Sequence, residues 1–338
     1  MKGKKTYILS VLAILIIGGI SFYLSAGSEI GAVREALRSA SGFYLALMAL
    51  IMLFYYVTDG YTLRTISRQY KKDFTLKQGF VNGMVGTLFS DLTPSSSGGQ
   101  FAQVFVFNKQ GIVPATASGI LLTCFISYQT VLISYTALIM IFQLTYFMGE
   151  GVHVATMALT GFLINFVVTG VLFFGTRSKK FQNFFINNII FFLARIRIVK
   201  DYEVTSQNIR WKFEEFREES KRLQANKPLF IKICACNVIK QTCMYSMPFF
   251  AFRAIHVNVP WASFVNFLSL AAIINLINTF LPVPGASGGS EGCFMILFGS
   301  LGQANAAVAM LLWRFFAFYY GAIIGILTFM FAKDARRR

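Results

Sequence analysis

The sequence predicts an all-α polytopic membrane protein, with about six transmembrane helices and two re-entrant broken hairpins arranged as an inverted repeat. Three observations carry that prediction. The 338 residues are 56% hydrophobic and 13% charged, with mean hydropathy +0.60, whereas soluble domains are about 25% charged. The stretch Leu281–Glu291 lies between two apolar runs, Ala262–Phe280 and Phe294–Phe331. Its Pro284 has no amide hydrogen, and Gly285, Gly288 and Gly289 favour non-helical backbone. Such backbone survives at membrane depth only when it is buried in protein or lines a wet cavity. Finally, Pro94–Gly99 repeats the Pro-x-x-Ser-Gly-Gly spacing of Pro284–Gly289 in the other half of the chain.

The elements follow in order within one transmembrane domain, 1–338. Tyr7–Leu24, after the basic Met1–Lys5, is about one bilayer span and longer than a signal-peptide core, so it reads as an uncleaved first helix. Ser25–Ser41 is short, and its charges at Glu29, Arg34, Glu35 and Arg38 cancel. Gly42–Thr58 opens the second helix, which runs to about Leu63 and a basic connector with Arg64, Arg68, Lys71, Lys72 and Lys77. Gly79–Leu92 is too short and too interrupted by glycine for a span. With the break at Thr93–Gly99 and the short run Phe101–Phe107 it makes the re-entrant hairpin 79–110 of the first half, 1–176. Ile112–Phe147 and Val152–Phe174 are spans joined by a turn at Gly149–Gly151. The connector 177–228 holds twelve Lys/Arg and six Asp/Glu between Arg177 and Lys227. Ile209, Phe213, Phe216 and Leu223 recur there near helical period, and Phe184–Leu193 suits a helix in the headgroup layer. In the second half, 229–338, Leu229–Phe252 and Ala304–Phe331 are spans around the re-entrant hairpin 262–303.

Charge orients this threading. With both termini in the cytoplasm, 25 of the 31 Lys/Arg fall on the cytoplasmic side and three, Arg34, Arg38 and Arg253, on the other, as the positive-inside rule requires. The net charge of +17 is thus an orientation signal facing anionic lipid, not a nucleic-acid surface. The hairpin at Pro94 then enters from the cytoplasm and that at Pro284 from outside. Each is followed by a glycine and a helix start rich in small residues, at Gly111 and Gly302. Like motifs of opposite sense mark inverted repeats, which place a substrate site between broken elements near the midplane.

Other chemistries lack their residues. The cysteines, 124, 234, 236, 243 and 293, lie in apolar runs without paired metal or redox spacing. His153 and His256 sit at span ends, and no P-loop, HExxH or GxSxG pattern occurs. Neither a cofactor nor a metal is expected.

Gly98-Gly-Gln-x-x-Gln103, Lys109-x-Gly111-Ile112 and Pro282-x-Pro-Gly-x-Ser-Gly-x-x-Glu291-x-x-Phe294 together resemble the flippase-like transmembrane family. That family includes the membrane half of lysylphosphatidylglycerol synthase/flippase, the multiple peptide resistance factor. The resemblance covers nearly the whole chain and implies a polytopic protein that moves a lipid between leaflets of the cytoplasmic membrane. It places the family's glutamate at Glu291 and its paired breaks at Pro94, Gly98, Gly99, Pro284, Gly285 and Gly288. Two departures stand out. The soluble aminoacyl-transferase domain is expected to be absent, as the sequence runs only six residues past Ala332, and Gln103 stands where many relatives carry an arginine.

The candidate substrate-binding set joins these residues to the chemistry of the breaks. Short helices starting after Gly99 and Gly289 aim amides and helix dipoles at the midplane, where they favour an anionic headgroup. Glu291, Arg314 and Lys240 are ionisable at membrane depth, a costly placement that points to a polar interior; Asp91 and Asp59 are weaker candidates of the same kind. The set comprises Glu291, Arg314, Lys240 and Asp91 with Pro94, Ser97, Gly98, Gly99, Gln100, Gln103, Pro284, Gly285, Ser287, Gly288 and Gly289. Ser95–Ser97, Ser287 and Ser290 can cap the half-helices, and Asn275 and Asn278 can satisfy backbone carbonyls freed at the break. The expected partner is a membrane phospholipid substrate, with no nucleic acid and a homo-oligomer left open. A small-solute or ion secondary transporter shares the broken-hairpin logic, and a membrane-embedded lipid transferase would need Asp91 or Glu291 as a base. The orientation is testable. A cysteine at Gln207 on a Cys-free background should react only with membrane-permeant reagent in intact cells. Labelling there by an impermeant reagent would overturn the threading and the opposed hairpins with it.

Overall fold

The computed structural model describes residues 35, 38–93, 97–143, 152–191, 201–279 and 288–332. The expected first span Tyr7–Leu24, the turn at Gly149–Gly151 and the tips of both breaks lie outside these residues. No strand occurs among the described residues. Among the described residues, four helices are long and apolar enough to cross a membrane: α1 (Gly42–Ser67), α4 (Pro114–Phe142), Trp261–Asn278 and α11 (Gln303–Phe331). This is an all-α polytopic membrane protein.

Between α1 and α4 lie α2 (Leu76–Leu92) and α3 (Ser97–Lys109). Thr75 starts α2 with a reciprocal cap: its hydroxyl accepts the Gln78 amide at 3.2 Å and Gln78 Oε1 accepts the Thr75 amide at 2.9 Å, satisfying two otherwise orphaned donors. The helix is continuous for 17 residues, so its glycines do not interrupt it. They serve close approach instead. A Cβ at Gly79 would collide with the Gly60 carbonyl oxygen, and one at Gly60 would sit 2.7 Å from the Phe80 backbone.

After α4 come α5 (Val152–Arg177), the short α6 (Lys179–Phe184) with a π-helical extension Phe185–Ile190, and α7 (Tyr202–Ala225). Asp201 caps α7 by accepting the Val204 amide at 3.0 Å. The helix lies against α4, α5 and α8 (Lys227–Ala254), with Phe213 buried and Trp211 exposed. The connector is thus a docked amphipathic helix over its C-terminal half. The 28 residues of α8 reach about 42 Å at 1.5 Å per residue, long enough to span although Lys232 and Lys240 lower its hydropathy. A 3₁₀ turn, Trp261–Ser263, leads into α9 (Phe264–Asn278). Ten-residue α10 (Gly289–Phe298) and a second 3₁₀ turn precede α11.

The packing of the two halves corresponds. Helix α1 packs on α8, and each packs on the element that follows it, α2 and α9. Helix α4 lies on α3 as α11 lies on α10, while α11 crosses to α2 and α4 to α9. The glycines that end each hairpin, Gly111 and Gly302, both have positive φ, 84° and 100°, a backbone state that favours glycine.

Two sets of helix ends meet at opposite ends of α1. Gln110, just past α3, donates to the Gln78 carbonyl at 2.9 Å, and Lys71 donates to the Gln110 carbonyl at 2.7 Å. The entrance of α2 and the exit of α3 therefore meet beside the end of α1. At the other face the Ser41 amide donates to the Ala254 carbonyl at 2.8 Å, joining the start of α1 to the end of α8. There Phe267 of α9 meets Phe298 of α10 at 5.1 Å.

The largest core joins α1, α8, α9, α10 and α11 through Met48, Met52, Phe249, Phe252, Phe294, Phe298 and Trp313. Phe294 is fully buried between Trp313 at 5.1 Å and Phe298 at 4.6 Å. Two glycines give a test by thermal unfolding in detergent. Gly79→Ala should destabilise by about 1–3 kcal/mol through overpacking. Gly292→Ala, with open space around its Cβ, should be neutral or stabilising by about 0.4–1 kcal/mol.

Candidate functional site

The centre of the site is the first turn of α10. Gly288 enters it at φ 85°, and the Gly288 amide donates to Glu291 Oε2 at 2.7 Å. The Ser290 hydroxyl donates to the same oxygen at 2.8 Å. Glu291 Oε1 faces Arg314 Nε at 3.2 Å, with both side chains 8% exposed, and Arg314 Nη1 donates to the Ser290 hydroxyl at 3.1 Å. The glutamate therefore fills the anion position that a helix N-terminus offers. The expectation of open amides at this half-helix is corrected in part: Glu291 already holds the Gly288 amide.

Arg314 is also anchored along its own helix. Its guanidinium carbon lies 4.8 Å from the Phe318 ring centre, and it hydrogen-bonds the Tyr319 side chain. The residues that follow it, Phe315–Tyr319, are π-helical, a local widening common at functional sites. On the other side, Trp313, Phe294 and Phe252 stack into an apolar layer.

Asp91, in the last turn of α2, is half-buried and within coulombic reach of Arg314 and of Tyr55 and Tyr56 on α1. Lys240 goes elsewhere. Its Nζ lies 2.5 Å from Asp59 Oδ1, joining α8 to α1, and 5.6 Å from the Tyr55 ring centre.

The other candidates divide between packing and exposure. The Gly98 amide donates to the Thr93 hydroxyl at 2.8 Å, and a Cβ at buried Gly99 would sit 2.6 Å from the Gly86 carbonyl oxygen. Gln103 lies against Gly86, and its carbonyl accepts from Asn82 at 3.0 Å, which makes it part of the α2–α3 interface. Gln100 is exposed and Gly289 half-buried. Ser97 begins α3; Pro94, Pro284, Gly285 and Ser287 lie outside the described residues.

Asn275 corrects another expectation: its amide donates to the hydroxyls of Tyr128 and Tyr245 at 3.2 and 3.1 Å. The carbonyl support comes from buried Asn165 on α5, which donates to Leu276 at 3.1 Å and Gly161 at 3.0 Å. An asparagine inside an apolar run was the available signal. Gly321 and Gly325, spaced as Gly-xxx-Gly, bring α11 onto α1 and α2: a Cβ on Gly325 would sit 2.9 Å from Leu88 Cβ of α2, and one on Gly321 would meet the Tyr56 hydroxyl of α1.

The pair can be tested for stability. If the pair only holds the fold, Glu291→Gln or Arg314→Gln alone should cost about 3–5 kcal/mol by leaving an unpaired buried charge, and the double variant should recover much of it; if it serves transport, Glu291→Gln should stay folded. Thermal unfolding in detergent measures this.

Comparison with curated proteins finds no match. Comparison with protein families finds the lysylphosphatidylglycerol synthase TM region, matched over residues 10–325. The match is to the non-catalytic membrane region of that synthase, not its aminoacyl-transferase portion. It covers both hairpins, Glu291 and Arg314, and on it the chain belongs to the lysylphosphatidylglycerol synthase transmembrane-region family.

Proposed function

We propose that this protein is a lipid flippase that moves a phospholipid, or a related anionic-headgroup lipid, between leaflets of the cytoplasmic membrane. The family match and the all-helical membrane-spanning fold support a transporter role. The observation that carries the lipid reading is the buried Glu291–Arg314 pair at the start of α10. Guanidinium, amide and helix dipole together form a phosphate-type site, and the glutamate occupies it as a resident anion. A headgroup phosphate would take the place of Glu291 on Arg314, and the glutamate would retake the arginine when the lipid leaves. That exchange avoids leaving either charge bare, which would cost about 3–5 kcal/mol.

Re-entrant hairpins in an inverted repeat fit this role. The hairpin openings on opposite faces, the corresponding contacts of α1 with α8, and the positive-φ glycines at Gly111 and Gly302 support that architecture. Under it, the ends of α2 and α10 approach Arg314 from opposite leaflets, the geometry alternating access uses. The orientation proposed has both termini and α7 in the cytoplasm.

Proteoliposomes with fluorescent phospholipids test the function. Wild-type protein should speed exchange between leaflets of an anionic phospholipid, and Glu291→Gln should fold yet lose most of it. Arg314→Gln should weaken binding of anionic headgroups more than zwitterionic ones. Transport of a soluble anion with no lipid movement would instead favour a small-solute carrier.

A further inference from the structure

Two cations at the end of the α1–α8 pair take no part in the Glu291–Arg314 exchange. The two helices run antiparallel. Ser41 meets Ala254 at one end and Asp59 meets Lys240 further along, so the end of α1 lies beside the start of α8. There both cations converge on one ring. The Arg64 guanidinium carbon, from the last turn of α1, lies 6.0 Å from the centre of the Tyr61 ring. The Lys232 ammonium, from the second turn of α8, lies 5.2 Å from the same centre.

Nothing among the described residues balances them. No carboxylate there forms an ion pair with Arg64 or Lys232, and no hydrogen bond reaches either side chain or the Tyr61 hydroxyl. Asp59 is held by Lys240, which lies eight residues past Lys232. That is about 12 Å further along α8 at 1.5 Å per residue. Reaching toward water accounts for an exposed lysine such as Lys232. It does not account for Arg64 Nε, which is shut off from solvent and has no partner. A buried donor left unpaired is costly, and two like charges at one ring repel. An anion beside the ring removes both costs. Guanidinium, ammonium and phenol hydroxyl all donate, which suits phosphate oxygens and rejects a cation.

The surface beside Lys232 selects the source of that phosphate. Ile231, Ala235 and Val238 recur at i, i+4 and i+7, so they share one face of α8, and all three are exposed. Ile239 adjoins them and is exposed too. This apolar stripe leads from the cations along α8 toward Lys240, the course acyl chains take beneath a headgroup. A soluble phosphate has no use for it. In the orientation proposed above, this end meets the cytoplasmic leaflet, where anionic lipids attract Lys and Arg.

We propose that Tyr61, Arg64 and Lys232 bind the phosphate of an anionic phospholipid, whose acyl chains lie along the exposed stripe of α8. The site is separate from Arg314 and goes beyond the transport reading: the lipid docks here whether or not Arg314 exchanges partners. It ties α1 to α8 at the end opposite the Ser41–Ala254 bond.

Photo-crosslinking of full-length protein in proteoliposomes tests this. The probes are phosphatidylglycerol and phosphatidylcholine with the same diazirine-bearing acyl chain, and mass spectrometry reads the label on the 231–239 segment alone. Phosphatidylglycerol should label that segment about tenfold more than phosphatidylcholine at equal mole fraction, as two cations near a membrane surface allow. Arg64→Gln/Lys232→Gln should bring the label down to the phosphatidylcholine level, while Arg64→Lys/Lys232→Arg and Arg314→Gln should keep the preference. Equal labelling of wild-type protein by the two lipids overturns the inference, whether or not any variant folds. A preference that survives Arg64→Gln/Lys232→Gln also overturns it. Loss of the phosphatidylglycerol label on adding inorganic phosphate assigns the cations to a soluble anion and overturns the lipid site. Each of these failures leaves the exchange at Arg314 standing, because the label is read only on α8.

Discussion

A guanidinium and a carboxylate, both 8% exposed and 3.2 Å apart, are the constraint from which the rest of this structure follows. Charges at membrane depth are tolerated only when paired or facing a polar interior. The pair therefore needs a helix that begins inside the protein, so that an amide and a dipole can help hold Glu291. It also needs a neighbouring span whose arginine points inward. The chain supplies both by starting α10 behind Gly288 and returning through Gly302 into α11. The aromatic layer of Phe252, Phe294 and Trp313 closes one side, which raises the worth of each polar contact beside it.

The first hairpin completes the environment by close packing. Glycines let α2 lie directly against α1, α3 and α11. The second ion pair, Asp59 with Lys240, ties α1 to α8, the two helices that correspond across the halves. Two buried pairs of different exposure make an informative contrast. Asp59 is 25% exposed and Glu291 8%, so water softens the first pair and leaves the second dependent on its protein partners.

Much of this was legible in the sequence, for definite reasons. Proline and glycine inside apolar flanks marked both breaks, and the spacing of Glu291 and Arg314 on either side of Gly302 allowed their contact. Lys240 was recognisable as a depth residue, but its partner was not: Asp59 lies in the other half, and pairing depends on how α1 and α8 register. Glycine is ambiguous in a sequence, since it interrupts a helix or permits close approach, and the reading of Gly79–Leu92 as interrupted took the wrong alternative. The Thr75–Gln78 cap, a Thr-x-x-Gln pattern, was the signal that could have placed the helix start. The number of spans was less accessible, because α8 is long enough to cross but its lysines lower its hydropathy. The π-helical turn after Arg314 has no sequence signature, since it reflects packing against other helices.

The central claim is that Arg314 exchanges its carboxylate partner for a lipid phosphate. Solid-state NMR can measure this directly, through dipolar coupling between guanidinium ¹⁵N and lipid ³¹P in proteoliposomes of anionic phospholipid. Arg314→Lys identifies the Arg314 signal by difference. The account predicts a ³¹P contact at Arg314 that weakens when the anionic lipid is replaced by a zwitterionic one. A guanidinium that couples only to the Glu291 carboxylate in every lipid would contradict it and leave a structural ion pair.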